Sequence, residues 1–290
     1  MKNGRNWELS KLTAHINNIA LSHAVFALPF AYIGAILAAS GIPTMLDLAW
    51  ITLAMVGARS AAMALNNFID LKYDRLQPRF TNRPMVTGAV KPWEAVLLTL
   101  VSLVAFFWAA AHLQPVCLQL APLAVIPFAV YPYMKRFSWT CHFVLGLALS
   151  IAPIGAWMAI RGELTVPIVL LGLSVGVWIA GFDIIYGCQD VDFDKKNGLH
   201  SVPVRFGLPG ALRMAKVMHM LSIIGFFTVG QLLQMQWVYY GGVIVAAIVL
   251  VYQHSIVSPT NFRKVTQRYF MRNGLVSVAL LIFTVISMIL

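Results

Sequence analysis

Long apolar runs, each ended by a short polar break, follow one another along the whole chain. About 20 apolar residues span a bilayer as an α-helix. Eight segments reach that length, roughly 16–38, 46–70, 94–112, 117–134, 141–160, 165–188, 209–231 and 237–256, and a ninth covers about 272–290. The residue-by-residue alternation of a membrane β-barrel is missing. Helices are then the remaining spanning solution, because lipid offers backbone N–H and C=O groups no partners. The pattern predicts an all-α integral membrane protein with nine transmembrane helices.

Composition agrees. With 60% hydrophobic and 11% charged residues and a mean hydropathy of +0.78, a soluble core could not hide this much apolar surface. The basic start (Lys2, Arg5, Lys11) runs into the first apolar segment without a small-residue cleavage site, so that helix is expected to be retained. Cys117, Cys141 and Cys188 are odd in number and lack metal-type spacing, which makes them packing residues.

A net charge of +11 would suggest nucleic acid in a soluble domain. With the N-terminus cytoplasmic, however, every one of the 21 Lys and Arg residues except Arg59, within a span, and Arg161, outside, falls on the inner side. Basicity then reports topology through the positive-inside rule, and nucleic acid needs no role. The expectation is a multi-pass protein of the cell (inner or plasma) membrane. Its N-terminus and its longer, polar loops face the cytoplasm, where function is expected. No linker or low-complexity tract divides residues 1–290, which read as one polytopic domain with a weak echo between acidic clusters at 66–74 and 183–194.

Those clusters hold most of the chemistry. Asp70 and Asp74, then Asp183, Asp190, Asp192 and Asp194, make up the greater part of the ten acidic residues. A carboxylate costs about 2.5–3.5 kcal/mol at the centre of a membrane helix, so such residues tend to face a wet or functional cavity. Arg59, Asn66, Asp70 and Asp74 recur at seven, four and four and share a helix face. Asp183, Tyr186, Asp190 and Asp194 recur at three, four and four, with Asp192 turned away. Carboxylates and an amide without a paired histidine are hard oxygen ligands that suit Mg²⁺ rather than zinc or iron.

Magnesium usually reaches proteins through a few carboxylates together with a substrate's phosphates, so the partner should be phosphorylated. Nearby bases agree: Arg75, Arg79 and Arg83 trail the first cluster, Lys135 and Arg136 end the fourth span in "YPYMKR", and Lys195, Lys196 and Arg205 trail the second. One juxtamembrane Asp or Arg is an ordinary interfacial residue. Two acidic faces at one depth and on one side, each followed by bases, are not. A diphosphate held at the end of an apolar bundle points to a polyprenyl diphosphate, with its tail among membrane lipid. Mg²⁺ and cationic side chains would stabilise the leaving diphosphate while a nucleophile captures the allylic carbocation.

The chain resembles the UbiA superfamily of intramembrane prenyltransferases over nearly its whole length. The resemblance rests on "NNFIDLKYD" (66–74), "RFTNRP" (79–84), "YPYMKR" (131–136) and "YGCQDVDFDKKNGLHSVPVRFG" (186–207), in family order and spacing. It implies nine helices around a central cavity, with Asn66, Asp70, Asp74, Asp190 and Asp194 around Mg²⁺. Arg59, Arg75, Arg79, Arg83, Lys135 and Lys196 would bind the diphosphate. Asp190, Arg136 and Tyr186 would form the catalytic set, and Arg136, His23 and Asp183 would bind the acceptor. Asp190 would orient or deprotonate the acceptor's phenol, and Arg136 would hold its carboxylate. The implied activity is Mg²⁺-dependent transfer of a polyprenyl group to a small aromatic acid of the 4-hydroxybenzoate type in ubiquinone or menaquinone biosynthesis, releasing diphosphate.

Two departures bear on this. Asn67 stands where the motif usually has Asp, which removes a charge. The first span, "LSHAVFALPFAYIG", lacks the Asp-Lys-Pro-Ile-Gly segment of familiar 4-hydroxybenzoate enzymes, which opens a dihydroxynaphthoate of the futalosine route as the alternative acceptor. His142 and His200 lie near the motifs and read as passive loop residues. A secondary transporter would place its acids near midplane on broken helices, and CDP-alcohol phosphotransferases need an aspartate run on one segment that is absent here. Haem O and chlorophyll synthases match "YPYMKR" and the second aspartate motif less well.

Overall fold

The computed structural model describes residues 2–19, 27–259 and 267–290, with side chains for 10–19, 27–259 and 273–290. Among these every regular element is helical. A polar helix α1 (Lys2–Asn18) precedes a short apolar α2 (Leu28–Ala39). Then come α3 (Met45–Asp74), α4 (Pro92–Ala111), α5 (Pro115–Phe137), α6 (Cys141–Arg161) and α7 (Val166–Gly187). A 3-10 turn (Cys188–Asp190) leads into α8 (Val191–Lys196), followed by α9 (Val202–Leu232), α10 (Trp237–Ile256) and α11 (Gln267–Ile289).

Among the described residues seven helical stretches are long and apolar enough to cross a membrane, α7 through α8 counting as one, and two shorter apolar helices, Leu28–Ala39 and Asn273–Ile289, accompany them. The chain is thus a multi-pass membrane protein. The nine full spans read from the sequence differ from this at the ends. The segment expected at 16–38 is represented by the end of polar α1 and by α2, and His23 lies outside the described residues. The span expected at 209–231 begins at Val202, crossing Gly207 at φ +69° where the helix kinks.

Helix α3 matters most for function. Its 30 residues make about 45 Å at 1.5 Å per residue, against roughly 30 Å of hydrocarbon. Its start is fixed by Thr44, whose Oγ1 accepts from the Asp47 amide at 3.1 Å. The surplus length carries its last turns, Asn66 to Asp74, to the polar end of the bundle. Lys11 donates to Glu94 at 2.8 Å, and the Asn67 side-chain amide donates to the Asn18 carbonyl at 2.6 Å, so α1 is pinned across that end. Asn67, the departure from the motif, is 6% exposed and serves as this anchor.

Lipid does not drive membrane helices together, so close packing has to, and small residues permit it. A Cβ added at Gly146 on α6 would lie 2.3 Å from the Gly176 carbonyl oxygen on α7. Phe30, Trp178 and Phe226 meet in the core beside this seam, with ring centroids 5.4 and 5.9 Å apart. Between α3, α4, α5, α6 and α7 the packing leaves a cavity of about 910 Å³. Ile51, Leu113 and Leu164 line it near one membrane face, and Asn66, Arg83, Asp183 and Tyr186 line it near the other.

Gly146→Leu should force α6 and α7 apart at a cost of about 1–3 kcal/mol, read as a fall of several degrees in thermal unfolding in detergent. Gly155→Ala, where an added Cβ meets nothing within 4 Å, should leave the transition unchanged.

Candidate active site

The end of α3 presents Asn66, Asp70 and Asp74 at helical spacing, and the turn after α7 presents Asp190 and Asp194. The second acidic run is not one helix: the 3-10 turn at Cys188–Asp190 re-aims the chain, leaving Asp190 and Asp194 6% and 2% exposed while Asp192 is open. Buried carboxylates need partners, and each of the four has a base. Asp70 Oδ1 lies 3.2 Å from Arg136 Nη2, Asp74 Oδ2 2.5 Å from Arg83 Nη1, Asp190 Oδ1 2.5 Å from Arg79 Nη1, and Asp194 Oδ2 3.6 Å from Lys135 Nζ.

The pairing interlocks the two clusters. Lys135 and Arg136 are consecutive residues of α5, pointing about 100° apart. One takes an acid of the second motif and the other an acid of the first, so the end of α5 stands between them. The backbone amide of His200 donates to the Lys135 carbonyl at 2.6 Å, fastening the second loop to the same helix end. Arg79 follows the first motif and crosses to Asp190, where Gln77 Nε2 donates to the same oxygen at 2.9 Å. The Arg79 guanidinium also lies 4.9 Å from the centre of the Tyr186 ring, and that of Arg83 3.6 Å from Phe80.

The other expected residues stand in different surroundings. Arg136 donates to Asp70 and to the Ile69 carbonyl at 2.8 Å, because the end of α5 abuts α3, while its Nε has no partner among the described residues. Arg75, just past the end of α3, and Lys196, the last residue of α8, are exposed and form no ion pair among the described residues. Arg59 shares the face of Asn66 but stands two turns deeper, about 10 Å along the helix. There it lines the cavity, with a buried Nε that no described residue accepts. His142, read as a loop residue, is the second residue of α6, 0% exposed, with Nδ1 2.6 Å from Asp183 Oδ2. The span read at 141–160 already placed it in a helix; what the sequence did not show is the contact with Asp183, 41 residues away.

Among the described residues no three Asp, Glu, His or Cys side chains stand together as a ready metal nest. The donor chemistry nevertheless fits a hard divalent cation. Each motif brings two carboxylates, Asp194 Oδ2 is buried without a hydrogen bond, and Mg²⁺ commonly completes its shell with substrate phosphate oxygens.

A double-mutant cycle of Arg79→Met and Asp190→Leu, followed by thermal or denaturant unfolding, should give a coupling energy of about 1–3 kcal/mol. Additive single effects would mean that the two motifs do not meet.

The chain matches the UbiA prenyltransferase family over residues 27–275. A 4-hydroxybenzoate octaprenyltransferase of Vibrio parahaemolyticus is 31% identical over 277 residues, spanning 95% of this chain and 94% of that protein. The apo structure of a UbiA homolog from Aeropyrum pernix superposes with a TM-score of 0.83 at 32% identity, covering 92% of this chain and 98% of the other. A UbiA homolog from Archaeoglobus fulgidus bound to GPP and Mg²⁺ shares the fold with a TM-score of 0.72 at 20% identity, covering 96% and 100%. With the helical bundle, its cavity and the interlocked acidic ends in place, the chain belongs to the UbiA family and is a prenyltransferase.

Proposed function

We propose that the chain transfers a polyprenyl group from polyprenyl diphosphate to a hydroxylated aromatic acid of the 4-hydroxybenzoate type in quinone biosynthesis, releasing diphosphate. The observation that carries this reading is the joining of two chemistries in one chamber: an apolar cavity of about 910 Å³ that ends at four acid–base pairs. The relative named 4-hydroxybenzoate octaprenyltransferase supports the acceptor class. The distribution of Lys and Arg supports a cell inner membrane location with the acidic ends toward the cytoplasm.

Arg79, Arg83 and Lys135 are the bases for the diphosphate. Phosphate oxygens compete with Asp190, Asp74 and Asp194 for them, and charge-assisted bonds to phosphate are at least as strong as those they replace. Substrate entry therefore exchanges partners and frees the acids. Asn66, Asp70, Asp74, Asp190 and Asp194 are the residues that would hold Mg²⁺, which when bound there supplies positive charge to the leaving diphosphate. Phe182, Tyr186 and Tyr131 line the cavity, where their ring faces can stabilise an allylic cation and exclude water from it. Arg59, free of any carboxylate among the described residues, and Arg136, whose Nε is likewise unpartnered, are the guanidinium groups available to the acceptor's carboxylate.

The test is a product assay with purified protein, Mg²⁺, a polyprenyl diphosphate and, separately, 4-hydroxybenzoate and a dihydroxynaphthoate. Chelation should abolish product and added Mg²⁺ restore it. Asp70→Asn and Asp190→Asn should each lower turnover by about 10³-fold or more, the scale of losing charge stabilisation in a transition state, while the protein still folds and inserts. Near-normal transfer by both variants would refute the assigned site.

A further inference from the structure

The four acid–base pairs leave one buried carboxylate pair unexplained. Asp183 on α7 precedes Asp190 by seven residues, lines the cavity and keeps 19% of its side-chain surface, whereas the His142 side chain bonded to it keeps 1%. A carboxylate only accepts, so the proton of the 2.6 Å contact sits on His142 Nδ1. The other ring nitrogen, Nε2, is buried with no hydrogen-bond partner. That edge of the ring is packed in: a Cβ on Gly187 would lie 3.0 Å from His142 Cε1, with Pro203 Cγ alongside at 3.8 Å.

The consequence is a carboxylate with one oxygen clamped and the rest of its surface facing the cavity, where no described side chain donates to it. It discriminates between the two substrates by hydrogen-bond polarity. A prenyl diphosphate has only acceptor oxygens and negative charge, so Asp183 repels it. The hydroxyl of an aromatic acceptor is a donor and is attracted. His142 is too buried to touch either.

We propose that His142 is a positioning residue for the acceptor: it fixes the rotamer of Asp183 so that the free carboxylate oxygen accepts a hydrogen bond from the acceptor's ring hydroxyl. This rests on the reading of the chain as an aromatic prenyltransferase. Accepting that bond raises electron density on the ring and presents the carbon ortho to the hydroxyl toward the diphosphate end. Gly187 belongs to the device, since any larger residue there would press on the imidazole.

Steady-state kinetics in detergent on wild type, His142→Leu and His142→Asn tests this. Asn can place its Nδ2 donor close to where Nδ1 stands. His142→Leu should raise the acceptor KM by about tenfold, the size of losing one charge-assisted hydrogen bond. The prenyl diphosphate KM should stay within about twofold, and His142→Asn should return the acceptor KM to within about threefold. In parallel, direct titration of 4-hydroxybenzoate and benzoate should give wild type about a tenfold preference for the hydroxylated acid, lost in His142→Leu and in Asp183→Asn and kept in His142→Asn. An acceptor KM unmoved in His142→Leu, both KM values rising together, or no preference in wild type would overturn the assignment. Absence of prenylated product alongside an intact binding preference would instead refute the transferase reading and leave the clamp standing as a binding site.

Discussion

Everything at the polar end of this bundle follows from the cost of a charge that has left water. Four aspartates stand where solvent is scarce, and an unpaired carboxylate there would either take up a proton or disrupt the fold. Each is met by a base, and the bases come from the other motif's side or from the helix between: Arg79 for Asp190, Lys135 for Asp194, Arg136 for Asp70, with Arg83 serving Asp74 from its own loop. Neutralisation and convergence are thus one arrangement. The same ion pairs that make these charges tolerable tie the two motifs to each other.

Membrane thickness positions this array. Helix α3 outruns the hydrocarbon, and the excess is where its acids stand. The 3-10 turn after α7 performs the equivalent task for the second motif by redirecting the chain at Cys188–Asp190. Below them, small residues at helix crossings such as Gly146 against Gly176 hold α6 and α7 close, while the walls toward α3 and α5 stay apart and leave the chamber. A substrate with a greasy tail and an anionic head matches a cavity that is apolar at one end and charged at the other.

Much of this was legible in the chain. Apolar run lengths delivered the membrane class and the cores of most spans, because hydrocarbon thickness imposes length directly. The four-residue spacing of Asn66, Asp70 and Asp74 is local helix geometry, and it carried over intact. Tertiary pairing is what sequence does not carry. Nothing near "YPYMKR" tells that Arg136 abuts Asp70, and nothing near Arg59 tells that it lines a cavity. The polar α1 was read only as a basic start ahead of the first apolar segment because its docking, Lys11 to Glu94 and Asn18 to Asn67, lies between distant residues. Asn67 itself looked like a lost motif acid and is a packing anchor. His142 was hidden because its partner, Asp183, is 41 residues away.

The central claim is that the ends of α3 and α7 build one site together rather than two separate ones. Anomalous diffraction from crystals grown with Mn²⁺ and inorganic diphosphate tests it most directly. The account predicts metal peaks bridging the two motifs, with carboxylate oxygens of Asp70 or Asp74 on one side and of Asp190 or Asp194 on the other. Peaks confined to a single motif, or lying outside the end of the cavity, would contradict it.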